Sequence, residues 1–222
     1  MYETESLKNR ILRLERKLLR VESARAQAEH LLETKSLELY RALQETERTR
    51  DQLDALAHSD VLTGLANRRF LEQSFERLSG LHARQADIRI GLLLIDLDAF
   101  KPINDTLGHE VGDQVLVQVA DRLLESARVS DCVARIGGDE FVILCTQLNH
   151  SDEVRAVAER VRQAIMVPFQ VADHRSIVSA SIGAAMAEPG ETLGQLLRRA
   201  DSAMYRSKRN GKNRLTMEIN EV

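Results

Sequence analysis

The sequence predicts an α+β domain preceded by a long helix that pairs with a second copy of itself in a coiled coil. Residues 1–63 contain neither glycine nor proline, so a single uninterrupted helix can extend through them. From about Asp60 the composition changes, and apolar runs typical of buried strands alternate with segments of helical periodicity. Two of these strands are joined by Gly137-Gly138, which predicts a hairpin.

Heptad spacing of apolar residues is the evidence for the coiled coil at residues 1–57. The a and d positions hold Leu7, Ile11, Leu14, Leu18, Val21, Ala28, Leu32, Leu39, Ala42, Leu53 and Leu56. Charges of both signs occupy the other positions, as expected for a parallel homodimer. Arg25, Lys35, Thr46 and Thr49 interrupt the seam, either as positions where the register can shift or as plain imperfections. The alternative is a solvated helix or a disordered charged leader.

The remaining segments predict the order of elements in residues 58–222. Helices are expected at 67–83, 111–127, 152–167 and 192–209, and strands at 88–97, 131–136, 140–146, 176–187 and 214–219. This order contains the β-α-β-β-α-β arrangement of a ferredoxin-like sheet, rich in antiparallel pairs and flanked by helices, with added elements.

Composition limits the class of protein. The 222 residues suffice for one or two domains with a buried core, and a net charge of -3 does not favour a general nucleic-acid or membrane-surface binder. No apolar run approaches the roughly 18 residues of a membrane-spanning helix, and no signal peptide is expected. Cys132 and Cys145 lack metal or redox spacing. We therefore expect a reduced, cytoplasmic protein whose two cysteines are core residues without a disulfide.

Two acidic pairs lie at the ends of predicted strands. Asp96 and Asp98 alternate onto one face of the first strand, and Asp139-Glu140 follows the glycine hairpin. Antiparallel neighbours would bring Asp96 beside Asp139, and such carboxylates repel one another unless a cation bridges them. The pairs therefore predict a Mg²⁺ site. The alternatives are a solvated Asp98 that caps the next helix and an ordinary Gly-Gly turn.

The chain resembles the GGDEF family of diguanylate cyclases over about residues 57–218, which are nearly the whole α+β part. Several spaced motifs carry the resemblance: Asp60-Val61-Leu62-Thr63-Gly64-Leu65-Ala66-Asn67-Arg68-Arg69, Asp96 to Asp105 with Gly108-His109 and Gly112-Asp113, Arg135-Ile136-Gly137-Gly138-Asp139-Glu140-Phe141, Ser181-Ile182-Gly183, and Ala200-Asp201-Ser202-Ala203-Met204-Tyr205. The family implies a nucleotide-cyclase type of sheet and the Mg²⁺-dependent condensation of two GTP into cyclic di-GMP, with release of two pyrophosphates. Mn²⁺ is the alternative ion.

The resemblance also implies roles for single residues. Metal ligands would be Asp96, Asp139 and Glu140 through their side chains and Leu97 through its carbonyl. The catalytic residues would be Asp139 as the base, together with Lys101 and Glu140. Substrate would be bound by Asn104, His109, Asp113, Gly137, Gly138, Lys208 and Lys212. Lys212 departs from the family, which commonly has arginine there. For the lysines and His109, the plainer readings are solvated surface residues and a local helix cap.

Regulation is implied as well. Arg128 and Asp131 have the spacing and offset of the family's inhibitory product site, although an Arg-x-x-Asp pair also occurs by chance. Each domain would hold one GTP, so that two copies must face each other, and an upstream sensor or regulatory protein could act on the coiled coil. The alternatives to a cyclase are a catalytically silent receptor for cyclic di-GMP and a coiled-coil signalling scaffold.

Overall fold

Six helices and seven strands follow one another in the computed structural model, which describes the backbone of residues 2–82, 89–171 and 174–218. Side chains are described for the same residues except 2–9, 11, 51–56, 81–82 and 174. Two compact units are present, Met1–Asp54 and Ala55–Val222. The elements are α1 (Tyr2–His58), α2 (Arg68–His82), β1 (Arg89–Asp98), α3 (Phe100–Leu107), α4 (His109–Ser126), β2 (Cys132–Gly137), β3 (Glu140–Leu148), α5 (Ser151–Met166), β4 (Phe169–Val171), β5 (His174–Ser176), β6 (Ser179–Met186), α6 (Leu193–Arg209) and β7 (Leu215–Met217).

Helix α1 fits the predicted coiled-coil segment. Its described seam leucines are exposed on the single chain, as with Leu14 at 60% and Leu32 at 70%. The polar seam residues bond within the helix: Arg25 pairs with Glu29 at 2.8 Å and Lys35 with Glu38 at 2.7 Å, while the hydroxyls of Thr46 and Thr49 each donate to the carbonyl four residues earlier. Leu7, Ile11, Leu53 and Leu56 lie among the side chains that the structure does not describe.

A five-stranded sheet in the order β2-β3-β1-β6-β7 forms the second unit. Strand β1 lies at the centre and pairs antiparallel with both β3 and β6, whereas β7 joins β6 in parallel. The four antiparallel strands have the ferredoxin-like order, with β7 added at one edge. The predicted fold class is therefore confirmed.

Strand β1 is apolar on both faces because helices cover both. Leu93 and Ile95 belong to the core that includes α4 and α5, whereas Leu92 and Leu94 belong to the core that includes α2 and α6. Because side chains alternate along a strand, Asp96 lies on the face that α6 covers. This alternation fixes which helix can supply a partner to the acidic end of the strand.

Close packing of α6 on β6 depends on Gly183. A Cβ built there would lie 2.0 Å from the carbonyl oxygen of Ala200 and 2.3 Å from the backbone nitrogen of Met204. Only glycine permits this approach. The far end of α6 is thereby held near the sheet.

The structure differs from the sequence predictions in two places. Residues 100–107 form a separate helix, α3, and α4 begins at His109 rather than at 111. The strand predicted at 176–187 is β6, and the short hairpin of β4 with β5, of which only Ser176 falls within that range, was not predicted. The predicted element ends at Ala83, Ile88 and Ile219 lie outside the described residues.

Both cysteines are free thiols: Cys145 is buried and Cys132 is half-buried. Burial raises the pKa of Cys145 to about 12. Among the described residues, no helix has the length and apolarity that a membrane crossing requires.

Candidate active site

The acidic end of β1 faces the acidic start of β3. Asp96 is paired with Glu140 in the antiparallel register, and the N–H of Leu97 donates to the carbonyl oxygen of Asp139 at 3.3 Å. Asp139 occupies the turn between β2 and β3. The structure therefore brings together the three carboxylates that the sequence analysis proposed as metal ligands.

The carboxylates of this cluster affect one another's ionisation. Burial is the main cause that raises the pKa of Asp96, and the charges of Asp139 and Asp98 act in the same direction. Burial also raises the pKa of Glu140, with further contributions from the charges of Asp96 and Asp139. A bound cation would relieve this mutual repulsion.

Lys208 supplies the nearest positive charge. Its Nζ lies 2.7 Å from Oδ2 of Asp96, and the two side chains are 34% and 14% exposed. The contact opposes the increase in the pKa of Asp96. Lys208 is in the last turn of α6, and the packing of that helix on β6 brings the ammonium to the acidic cluster.

The glycine turn is held by an arginine that the sequence analysis quoted without a role. Gly138 has a left-handed φ of 46°, and its carbonyl oxygen accepts from Nε and Nη2 of Arg135 at 3.0 and 2.8 Å. Nη1 of Arg135 donates to Asp60 at 3.0 Å. Burial alone would raise the pKa of Asp60, but hydrogen bonds from Thr63 and Arg135 hold it below the usual value.

Asp98 is neither solvated nor a helix cap. Only 6% of the residue is exposed, and its carboxylate accepts from Oγ of Ser179 at 2.8 Å, from Oγ of Ser181 at 2.7 Å and from the N–H of Asn213 at 3.0 Å. Helix α3 instead begins after Ala99 without a side-chain cap. Asp98 is therefore a structural link between β1, β6 and the turn after α6.

The candidate nucleotide-binding residues lie on α3 and α4. Asn104 is half-buried beside Gly112, where an added Cβ would lie 1.8 Å from Oδ1 of Asn104. The absence of a side chain at Gly112 thus makes room for the amide of Asn104. The remaining candidates of this group are all exposed: Lys101, His109 and Asp113.

Lys212 lies in the turn after α6, outside the acidic cluster. It has a left-handed φ of 59°, and its N–H donates to the carbonyl of Ser207 at 3.0 Å. Its side chain is exposed, so the geometry leaves it available to an approaching anion.

The proposed product-site residues are close together, but their side chains have separate partners. Both carboxylate oxygens of Asp131 accept backbone N–H groups, from Arg128 at 2.9 Å and from Thr146 at 3.0 Å. The guanidinium of Arg128 contacts Glu153 at 2.7 Å. The oxygens of Asp131 each retain a second lone pair for a ligand.

The donor set fits a divalent cation that also binds substrate. Within 2–82, 89–171 and 174–218, no group of three or more His, Cys, Asp or Glu side chains is arranged to hold a metal ion. Mg²⁺ is commonly held by one or two carboxylates, with waters and substrate phosphates completing its shell. Asp96, Asp139 and Glu140 provide such carboxylates at one end of the sheet.

Comparison with known proteins decides the family. A sequence profile described as "Diguanylate cyclase, GGDEF domain" matches residues 57–214. The chain belongs to the GGDEF family. One relative, diguanylate cyclase DosC of Escherichia coli (strain K12), is 41% identical over 160 residues, which are 71% of this chain and 34% of DosC. The chain spans only about a quarter to a third of the length of such curated relatives.

Two solved structures of GGDEF proteins resemble the chain including its helix. The coiled coil and GGDEF domain of DgcB from Caulobacter crescentus, in complex with c-di-GMP, gives a TM-score of 0.73 at 31% identity and covers 82% of this chain and 98% of that one. Diguanylate cyclase SiaD from Pseudomonas aeruginosa, in complex with its activator SiaC, gives 0.70 at 30% identity and covers 97% and 88%.

Proposed function

We propose that this GGDEF chain is an active diguanylate cyclase that condenses two GTP into cyclic di-GMP with release of two pyrophosphates. The observation that carries the proposal is the facing pair of Asp96 and Glu140 beside the Asp139 turn, with the ammonium of Lys208 2.7 Å from Asp96. Residues 1–57 would form the dimerisation and signalling helix, and residues 58–222 the catalytic domain.

The reaction is nucleophilic substitution at phosphorus. The 3′-oxygen of one GTP bonds to the α-phosphorus of the other, the bond to pyrophosphate breaks, and Asp139 accepts the hydroxyl proton. Asp96, Asp139 and Glu140 would hold Mg²⁺, or Mn²⁺ in its place, together with the backbone carbonyl of Leu97. When bound, the ion supplies charge neutralisation for the leaving pyrophosphate and a lower pKa for the attacking hydroxyl. The chain's own contribution is mainly to position and neutralise charge.

The basic residues would act on the phosphates. Lys208 already lies at the edge of the acidic cluster, so its ammonium can contact triphosphate oxygens that approach the same carboxylates. Lys212 would add a second contact, and Lys101 would neutralise charge in the transition state. Lysine acts as a point charge and cannot bind phosphate with the two-pronged geometry of arginine, so Lys212 should hold the triphosphate loosely.

Guanine would be recognised on α3 and α4. Asp113 can accept the N1–H and N2–H₂ donors of guanine in parallel, a pair that adenine lacks. The amide of Asn104 lies against Gly112, the residue before Asp113, because glycine leaves the space. His109, the first residue of α4, is the remaining contact on this side, and Gly137 and Gly138 would allow phosphate to approach the backbone of the opposite turn.

A dimer would complete the reaction, because each domain supplies one GTP. The exposed apolar seam of α1, which includes Leu14, Leu18 and Val21, is the surface that a second copy would cover. A coiled coil would hold the two domains at high effective concentration. The likeness to SiaD, solved with its activator, supports a regulatory partner for this chain.

Feedback by the product is the proposed role of the Arg128–Asp131 turn. Arg128 can donate two parallel hydrogen bonds to guanine or phosphate, and Asp131 has free lone pairs for guanine donors. The likeness to DgcB, solved with c-di-GMP, supports product binding.

The test is turnover of GTP with Mg²⁺ by the purified chain, with the product identified by mass at several protein concentrations. We expect cyclic di-GMP at a specific rate that rises with dimer concentration. Asp139→Asn should lower the rate by several orders of magnitude without loss of the fold, because it removes both a metal ligand and the base. Asp121→Asn, which removes an exposed charge on α4, is the control. A confirmed dimer that binds cyclic di-GMP but forms none would instead be a receptor.

A further inference from the structure

The turn of the proposed product site is rigidly attached to β3. Besides the two N–H groups that bond to Asp131, the hydroxyl of Thr146 donates to the carbonyl of Ser130 at 3.1 Å. These contacts fix the backbone of residues 128–131 and leave the guanidinium of Arg128, whose side chain is 46% exposed, as the part that can move.

The partner of that guanidinium is itself held in place. Oε1 of Glu153 accepts the N–H groups of Asn149 at 2.8 Å and His150 at 3.2 Å, in the capping box that begins α5. Its other oxygen, Oε2, lies 2.7 Å from Nη2 of Arg128. The hydrogen bond from Arg128 and those from the two N–H groups lower the pKa of Glu153 to about 2. The carboxylate therefore stays ionised throughout the working range of pH.

We propose that Glu153 is an internal competitor for the inhibitory product and so determines the concentration at which product binds. The inference rests on the product site proposed above. The carboxylate occupies Nη2 of Arg128, so a phosphate or guanine acceptor that binds through Nη2 meets Glu153, and a second anion beside Glu153 would be repelled. Product that binds through Nη2 must therefore displace Glu153, whereas the oxygens of Asp131 retain free lone pairs.

Glu153→Gln removes the competing charge and keeps the side chain that caps the helix. Glutamine at this third helical position can make the same capping box, so α5 should begin as before. We expect the variant, as the full chain, to bind cyclic di-GMP about two- to fivefold more tightly in calorimetry, the range for loss of an exposed ion pair. Glu153→Ala, which removes cap and charge together, should change affinity in the same direction.

Two further variants make the result specific. Glu159→Gln removes a charge from the same helix, where Glu159 pairs with Arg162 at 2.9 Å, and should leave product affinity unchanged. Arg128→Ala should abolish binding. Unchanged or weaker binding by Glu153→Gln, or equal tightening by Glu159→Gln, would overturn the competition. Wild-type affinity in Arg128→Ala would show instead that the product site itself is misplaced. Thermal melting confirms that each variant is folded.

Discussion

Replacing Asp98 with alanine tests the contact that joins the acidic end of β1 to the turn after α6. The substitution removes the acceptor of three hydrogen bonds, two from serine hydroxyls of β6 and one from the N–H of Asn213. Because Asp98 is only 6% exposed, water cannot readily replace the missing carboxylate. We therefore expect both a loss of stability and a local change in the turn that carries Lys212.

The magnitude follows from the partners. A hydrogen bond to a charged group contributes about 1.5–3 kcal/mol to the free energy of unfolding. Losing all three bonds could therefore cost more than losing any one of them. The two hydroxyls can rotate to other acceptors, and deleting a buried charge recovers some solvation free energy. The Asn213 N–H is fixed by its left-handed φ of 45° and has no such freedom. We expect a loss of about 3 kcal/mol in the free energy of unfolding.

Urea unfolding and GTP kinetics together measure the effect. The free energy of unfolding should fall as stated, and KM for GTP should rise because Lys212 adjoins Asn213. Ser179→Ala, which removes one donor at 2.8 Å, is the matched control and should cost about 1 kcal/mol. A loss below about 1 kcal/mol in Asp98→Ala would refute the assignment of Asp98 as a structural link.

Two further predictions concern the packing of α6 and the acidic cluster. Gly183→Ala should destabilise the fold by about 1–3 kcal/mol or more in thermal melting, because the new Cβ would lie 2.0 Å from a backbone oxygen. Gly194→Ala is the control and should not destabilise the fold, because its Cβ would lie 3.8 Å from the nearest atom, the Nη1 of Arg198. Because the pKa values of Asp96 and Glu140 are raised, these carboxyls take up protons at a higher pH than usual. An NMR titration of the two carboxyl carbons should therefore give midpoints above the roughly 3.9 and 4.3 of free Asp and Glu, and midpoints at or below those values would contradict this.

The sequence predicted the strands and helices whose periodicity extends over many residues. It missed α3, which has only eight residues and contains Pro102 in its first turn, where proline is tolerated. It also missed the β4–β5 hairpin, of which only Ser176 falls within the strand predicted at 176–187. The strands of the β4–β5 hairpin have three residues each, too few for a periodic signal.

Local patterns predicted which acids meet but not what else they contact. Alternation along β1 and the adjacent hairpin were enough to place Asp96 beside the glycine turn at Gly137-Gly138. The partners of Asp98 lie 81 to 115 residues away, and Asp60 lies 75 residues from Arg135. Such pairs depend on the packing of whole elements, so that no spacing in the sequence reveals them.

The glycine turn between β2 and β3 is joined by hydrogen bonds to the residues that follow α1. The N–H of Asn67 donates to the carbonyl of His58 at 2.8 Å, which fixes the end of α1 to the residue before α2. Two residues beyond His58, Asp60 accepts from Arg135, which also holds the carbonyl of Gly138. The side chains of Arg135 and Asp60 are only 13% and 25% exposed, so that separating them would leave two poorly hydrated charges. If the segment after α1 is displaced, we therefore expect the Arg135–Asp60 pair to stay intact and the turn at Gly138 to move with that segment.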